Sequence, residues 1–151
     1  NMIEKAKEMI DLSNEQIVLS AWNREIEEIN DELKKASSRQ VHITLFSFTK
    51  ISKKIGELVS YDIDENKLRK VWKPKMILVV DKKFTMMGSA RKHDDSRSIF
   101  TENQAITEIA TDHLILDITL AGNRLGFDST KIVSSILDES DVKLESLFDL
   151  K

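Results

Sequence analysis

Two apolar runs of strand length with a helical stretch between them constrain this chain more than any other feature. "EQIVLSAW" (Glu15–Trp22) is a short apolar run, and "VHITLFSF" (Val41–Phe48) is rich in β-branched and aromatic residues. Between them Ile26, Ile29, Leu33 and Ala36 recur at spacings of three and four, one face of a helix that Asn23 is placed to cap. Strand, helix, strand favours a parallel pair with a helix laid over it, and so a layered α/β fold. An amphipathic helix marked by Ile3, Ala6 and Ile10 comes first. At 151 residues the chain suits one domain with a real core, and we expect a single domain over 1–151.

The middle and the end read differently. "ELVSYDI" and "KLRKVW" look like short strands flanking the acidic turn Asp62–Asn66. From Thr101 onward the pattern is helical, giving a helical C-terminal third. Thr101-Glu102-Asn103-Gln104 fits a capping box. The helix it opens carries Ile106, Ile109, Ala110, Leu114 and Ala121, with apolar residues on other faces too, so we expect it to be well buried and to stop at Gly122 or Gly126. A last helical region follows Asp128, with Ile132, Val133, Ile136 and Leu137, then Leu144, Leu147 and Phe148.

Composition removes several function classes. The chain has no cysteine, which rules out disulfides and thiolate-zinc sites. A net charge of −3 lacks the basic excess of a module that grips nucleic acid by itself. No run approaches the ~18 apolar residues of a membrane span, and the opening residues are charged throughout, unlike a signal peptide. We expect a cytoplasmic protein without membrane association. Because the chain opens at Asn1, we also expect it to be a domain of a longer protein. There is no nucleophile elbow, Walker loop or dinucleotide fingerprint.

"KPKMILVVDKKFTMMGSAR" (Lys73–Arg91) reads as strand, charged turn, strand, then Gly-Ser. With Lys82-Lys83 as a two-residue loop, Met76 faces Ser89 and Leu78 faces Met87, and Pro74, Met76, Leu78, Met87, Ser89 and Arg91 share one face. The spacing resembles the phospholipase D superfamily motif, His-x-Lys-x4-Asp-x6-Gly-Ser-x-Asn. Asp81 and Gly88-Ser89 match it. Pro74, Met76 and Arg91 stand where histidine, lysine and asparagine belong. In that family the histidine attacks a phosphodiester and the lysine steadies its charge. Proline has no nucleophile and methionine no charge, so covalent phosphoryl transfer through this motif is chemically excluded.

A narrower resemblance covers most of the chain up to about Gly126. "NMIEKAKEMIDLSNEQIVLSAW", "MILVVDKKFTMMGS" and "SIFTENQAITEIATDHLILDITLAGNRLG" are similar to the C-terminal effector domain of TrmB-family transcriptional regulators. That resemblance implies a phospholipase-D-like mixed β-sheet flanked by helices, without catalytic residues. It also implies a winged-helix DNA-binding domain earlier in the polypeptide, a homodimer, and a small-molecule effector, with sugars among the candidates. Sugar-binding members carry extra β structure after this core, for which the chain has no room.

The expected ligand-binding residues are Trp22, Ser47, Trp72, Met76, Ser89 and Arg91, with the two tryptophans as stacking walls and Arg91 reading a polar group. Ligands gather at carboxyl ends of strands in α/β sheets, and Trp22 ends the first. The plain alternative for Met76 and Met87 is core. His113 and Asp117 stand four apart on a helix, a spacing commoner for a hydrogen bond than for a ligand pair. His93-Asp94-Asp95 lies in a polar loop, but adjacent side chains rarely converge, so we assign no metal and no cofactor. The dimer contact is expected on the first helix or in the 129–150 region. The competing readings are a ligand-free dimerisation module and, third, a divergent phosphodiesterase.

Overall fold

A computed structural model describes residues 1–89 and 97–138. Helix α1 (Met2–Asp11) is followed by β1 (Gln16–Ser20), α2 (Asn23–Glu28), α3 (Asn30–Ser38), β2 (His42–Thr49) and β3 (Glu57–Ile63). Then come α4 (Glu65–Arg69), β4 (Lys75–Val80), β5 (Phe84–Ser89), β6 (Ser98–Thr101), α5 (Gln104–Leu125) and α6 (Thr130–Leu137). The six strands form one sheet in the order β3-β2-β1-β4-β5-β6. β1, β2 and β3 are parallel, while β4 runs antiparallel to β1 and opens an antiparallel half with β5 and β6. The predicted βαβ unit is therefore present, but its helix breaks at Ile29 into two segments. Ile26, Ile29, Leu33 and Ala36 are all fully buried, so the break keeps their face on the sheet.

Alternation along the central strands sends side chains to two separate cores. Ile17, Leu19, Ile43, Leu45, Met76, Leu78, Val80 and Met86 pack with α1, α2 and α3. Val18, Phe46 and Val79 point the other way, with Val59, to α5 and α6. β2 and β3 are parallel neighbours joined only by 50–56, which must run back the length of a strand. Ile51 and Ile55 pack on the first core as it does so. Gly56 closes the return at φ +69, where an added Cβ would lie 2.3 Å from the Ile43 carbonyl oxygen.

Several local expectations are corrected. "KLRKVW" is not a strand: Asp64 accepts hydrogen bonds from the Asn66 and Lys67 amides and caps α4. Trp22, not Asn23, is the N-cap position of α2, and the Asn23 side chain instead accepts from Ser52. Asn103 caps α5 by accepting from the Ile106 amide, while Thr101 Oγ1 accepts from the Asn103 amide. Gly126 (φ +80) ends that helix and Gly122 lies within it.

The hairpin register also differs by one residue. Asp81 and Lys82 both take left-handed conformations, φ 54 and 57, making the loop Asp81-Lys82-Lys83 and pairing Val80 with Phe84, Met76 with Gly88 and Lys75 with Ser89. Asp81 is what holds that shape. Its carboxylate accepts from the backbone amides of Asn14, Glu15 and Gln16 at 2.9, 2.7 and 2.9 Å, tying the turn to the entry of β1. The aspartate before the Gly-Ser is thus a structural clamp. Gly88 is needed for space: a Cβ there would lie 2.7 Å from Ser98 Cβ and 2.9 Å from Met2 Sδ.

α5 is anchored on one side only. Thr85 donates to Thr107 at 2.8 Å, and Ala110, Leu114, Ile115, Ile118 and Ala121 enter the second core. Contrary to expectation the helix is not well buried, because Ile109, Leu116 and Leu120 are 69%, 52% and 53% exposed. No helix among the described residues is long and apolar enough to cross a membrane.

Candidate functional site

The carboxyl ends of β1 and β2 and the start of β4 meet at one end of the sheet, because β4 is antiparallel to β1. On the α5 side of this end lies a cavity of about 280 Å³. Ser20 and Ile77, paired across β1 and β4, form its floor. Trp22, Phe48 and Trp72 make an aromatic side, Lys73 and Lys75 a basic one, and His113 and Asp117 of α5 close the far wall.

The aromatic side is a connected cluster. Phe48 meets Phe46 edge-on at 5.1 Å, stacks on Tyr61 at 5.8 Å and meets Trp72 at 5.2 Å and 66°. Trp72 is held by its backbone, whose amide donates to the Leu68 carbonyl at the end of α4 at 2.8 Å. The residue as a whole is 53% exposed. Trp22 is almost wholly buried and carries the Arg69 guanidinium over its ring at 5.4 Å. Arg69 in turn pairs with Glu25 and Glu65, both at 3.4 Å. Glu25 is buried with Oε1 unpartnered, and burial pushes its carboxyl up from 4.5 to about 7 against the pull of Arg69. This triad sets the Trp22 side of the cavity.

On α5, His113 Nε2 and Asp117 Oδ2 are 3.2 Å apart, one helical turn from each other. Burial raises the Asp117 carboxyl and His113 pulls it partly back. The pair forms as its spacing suggested, but it stands at a cavity wall, with the histidine more than half exposed.

Of the positions read from sequence, Trp22 and Trp72 line the cavity. Ser89 is the cross-strand partner of Lys75 and so shares the cavity's face of the sheet without lining it. Ser47 and Met76 lie on the opposite face. Ser47 Oγ is bonded to Thr49 Oγ1 at 3.0 Å and accepts from the Thr49 amide, and Met76 is fully buried in the α1–α3 core. Arg91, like His93-Asp94-Asp95, lies outside the described residues. Sequence reasoning passed over Lys73, Lys75, Ile77 and Phe48. Alternation was the available signal: once Met76 is core, Lys75 and Ile77 must face the other way. Among the described residues no cluster of three or more His, Cys, Asp or Glu side chains is arranged to hold a metal ion.

A sequence profile of one family, transcriptional regulator TrmB, EBD N-terminal subdomain, matches residues 1–114. The chain belongs to the TrmB family. No curated protein sequence matches this TrmB-family chain. Among solved structures it is similar to TrmBL2, an archaeal chromatin protein described as showing a novel mode of DNA binding, with TM-score 0.55 and 16% identity. The match covers 76% of the chain and 46% of TrmBL2, so the chain spans about half the length of that relative. NucT from Helicobacter pylori matches with TM-score 0.53 and 9% identity, over 75% of the chain and 84% of NucT. Nuc from Salmonella typhimurium, a phospholipase D family member, matches with TM-score 0.52 and 12% identity, over 74% and 82%. The TrmB-family chain therefore has a phospholipase-D-like fold.

Proposed function

We propose that this TrmB-family chain is a non-catalytic effector-sensing and dimerisation domain, which passes the binding of a small molecule to a winged-helix DNA-binding domain of the same polypeptide. The observation that carries the reading is that one helix serves two surfaces. α5 gives His113 and Asp117 to the cavity, and its outward side exposes Ile109, Leu116 and Leu120. A ligand that bears on the inner side of α5 can shift the outer side, provided it binds one arrangement better than the other.

The outer stripe suits a second copy of the chain. Ile109, Leu116 and Leu120 are spaced seven and four and so share one exposed side of α5. Two antiparallel α5 helices about a two-fold axis would set Ile109 against the partner copy's Leu120 stripe position and bring Arg124 within a turn of Glu108 across the axis. The reading therefore favours α5 over α1 or 129–150 as the dimer contact. Lack of catalysis is supported by Pro74 and Met76 at the two motif positions that need a nucleophile and a cation. Met76 is also sealed in the core, with Met2 against Gly88 beside it.

The test has two arms. In sedimentation velocity the chain is expected to run as a dimer and Leu116→Asp as a folded monomer; a monomeric parent at high concentration counts against the reading. In a thermal-shift screen of small molecules, a ligand that binds only the folded form must raise its stability, and Trp72→Ala is expected to abolish the shift. Robust turnover of a phosphodiester substrate would overturn the non-catalytic assignment.

A further inference from the structure

The cavity's chemistry narrows what it can take, and this step rests on the sensing role proposed above. Its volume of about 280 Å³ sits at the small end of ligand sites, which run from roughly 300 to 1,000 Å³. A ligand of up to about mononucleotide size fills it, and a longer oligosaccharide does not. Trp72 presents a half-exposed indole whose only ring contact among the described residues, Phe48, is inclined at 66° and not stacked. A flat ring laid against it gains stacking that a water layer does not supply.

Charge is unevenly distributed around the cavity. Lys73 and Lys75 are exposed on the β4 side, and neither has an ion-pair partner among the described residues. The other cation beside the cavity, Arg69, is already held by Glu25 and Glu65. Two uncommitted ammonium groups in a chain of net charge −3 make a local reversal of sign. Asp117 lines the same cavity, a part-buried carboxyl whose one ion-pair partner among the described residues is His113. An acid group is drawn to the lysines and kept from the Asp117 end. The Asp117 end suits an amino or hydroxyl donor.

We propose that the cavity binds a small flat-ringed anion: an aromatic ring between Trp72 and the α5 wall, an acid group on Lys73 and Lys75, and a hydrogen-bond donor toward Asp117. A mononucleotide and a hydroxylated aromatic carboxylate share this chemistry, and neutral sugars lack both the ring and the charge.

Isothermal titration of the chain distinguishes these sources. The probes are AMP and 4-hydroxybenzoate, with adenosine (ring without charge), ribose 5-phosphate (charge without ring) and glucose (neither) as comparisons. At least one of the first two is expected to bind, with its matched single-feature comparison tenfold weaker or more. Lys75→Ala is expected to weaken binding about tenfold and to steepen with falling salt, since the contact is ionic. Lys34→Ala, on the outer side of α3, should leave it unchanged. Trp72→Ala should remove binding while the unliganded melting curve shows a folded protein. Equal binding of adenosine and AMP, or no effect of Lys75→Ala, overturns the proposal. So does silence from both anions. Glucose binding that is lost in Trp72→Ala overturns the flat-ring anion while leaving the sensor standing. An oligonucleotide that binds through Lys75 where AMP does not would overturn it in favour of a nucleic-acid surface. If no probe binds and the chain is still a dimer, the sensing role falls with it and a ligand-free dimerisation module remains.

Discussion

The two faces of the sheet are built from the same strands and have opposite fates. Toward α1, α2 and α3 every central position is filled, from Ile17 and Leu19 to Met76, Leu78 and Met86, all at most 2% exposed. Toward α5 and α6 the inner half is equally tight, at Val18, Phe46 and Val79. At the carboxyl ends of the parallel strands, however, Phe48 and Ile77 are left partly buried around a cavity. The face that carries the vestigial motif position Met76 is the sealed one, and the open one lies behind it. Met76 at that position joins the hydrophobic core, where a methionine gains from burial and an ammonium would be penalised. The lesson is that a degenerate motif does not mark where a surviving pocket will be.

The contrast is broken most severely on the sealed face. Leu78→Ala is expected to cost about 2–5 kcal/mol, whereas Trp72→Ala at the open cavity should cost about 1 kcal/mol or less, as exposed positions usually do. Urea denaturation of both variants checks the difference, and similar costs would mean the cavity is as much core as the other face.

Gly88→Ala comes next. Its Cβ must push Met2, Ser98 or the Arg97 carbonyl, and overpacking of this kind costs roughly 1–3 kcal/mol. Pairing it with Met2→Ala separates the causes. Recovery of stability in the double variant would show that the glycine exists to admit α1, and an additive loss would place the strain in β6 instead.

A pH-dependent effect joins the two faces. Glu25 lies behind Trp22, and its carboxyl titrates near 7 when folded against 4.5 ordinarily, chiefly through burial. The folded state therefore holds this proton more tightly than the unfolded chain. Its contribution to stability is complete below pH 4.5 and is lost as pH rises toward 7. Melting temperature followed from pH 4.5 to 7.5 should fall more in the parent chain than in Glu25→Gln. Parallel curves would show that Arg69 compensates the buried charge.

Much of this architecture was legible in the residues. The βαβ unit, the hairpin, the parallel pairing of β1 with β2 and the burial of Ile26, Ile29, Leu33 and Ala36 follow from periodicity, which is a property of the chain. What periodicity missed were local contests. "KLRKVW" has the length of a strand, but Leu68, Val71 and Trp72 are spaced three and one, and Asp64 supplies two capping bonds that a strand cannot offer. The hairpin register turned on three amides of a loop distant in sequence, Asn14, Glu15 and Gln16, which fix Asp81 in a left-handed turn without glycine. A one-residue change there reassigns Met87 and Met86 between faces.

By itself the sequence determined the fold class and the lack of the motif's nucleophile and cation, and it singled out Trp22 and Trp72 as expected ligand walls. Only the tertiary structure decided that Lys75 and Ile77, not Met76, face open space, that His113 and Asp117 close the same cavity, and that α5 keeps Ile109, Leu116 and Leu120 outside. The physical reason is that alternation fixes which side chains share a face, while which face is covered depends on helices that arrive from elsewhere in the chain.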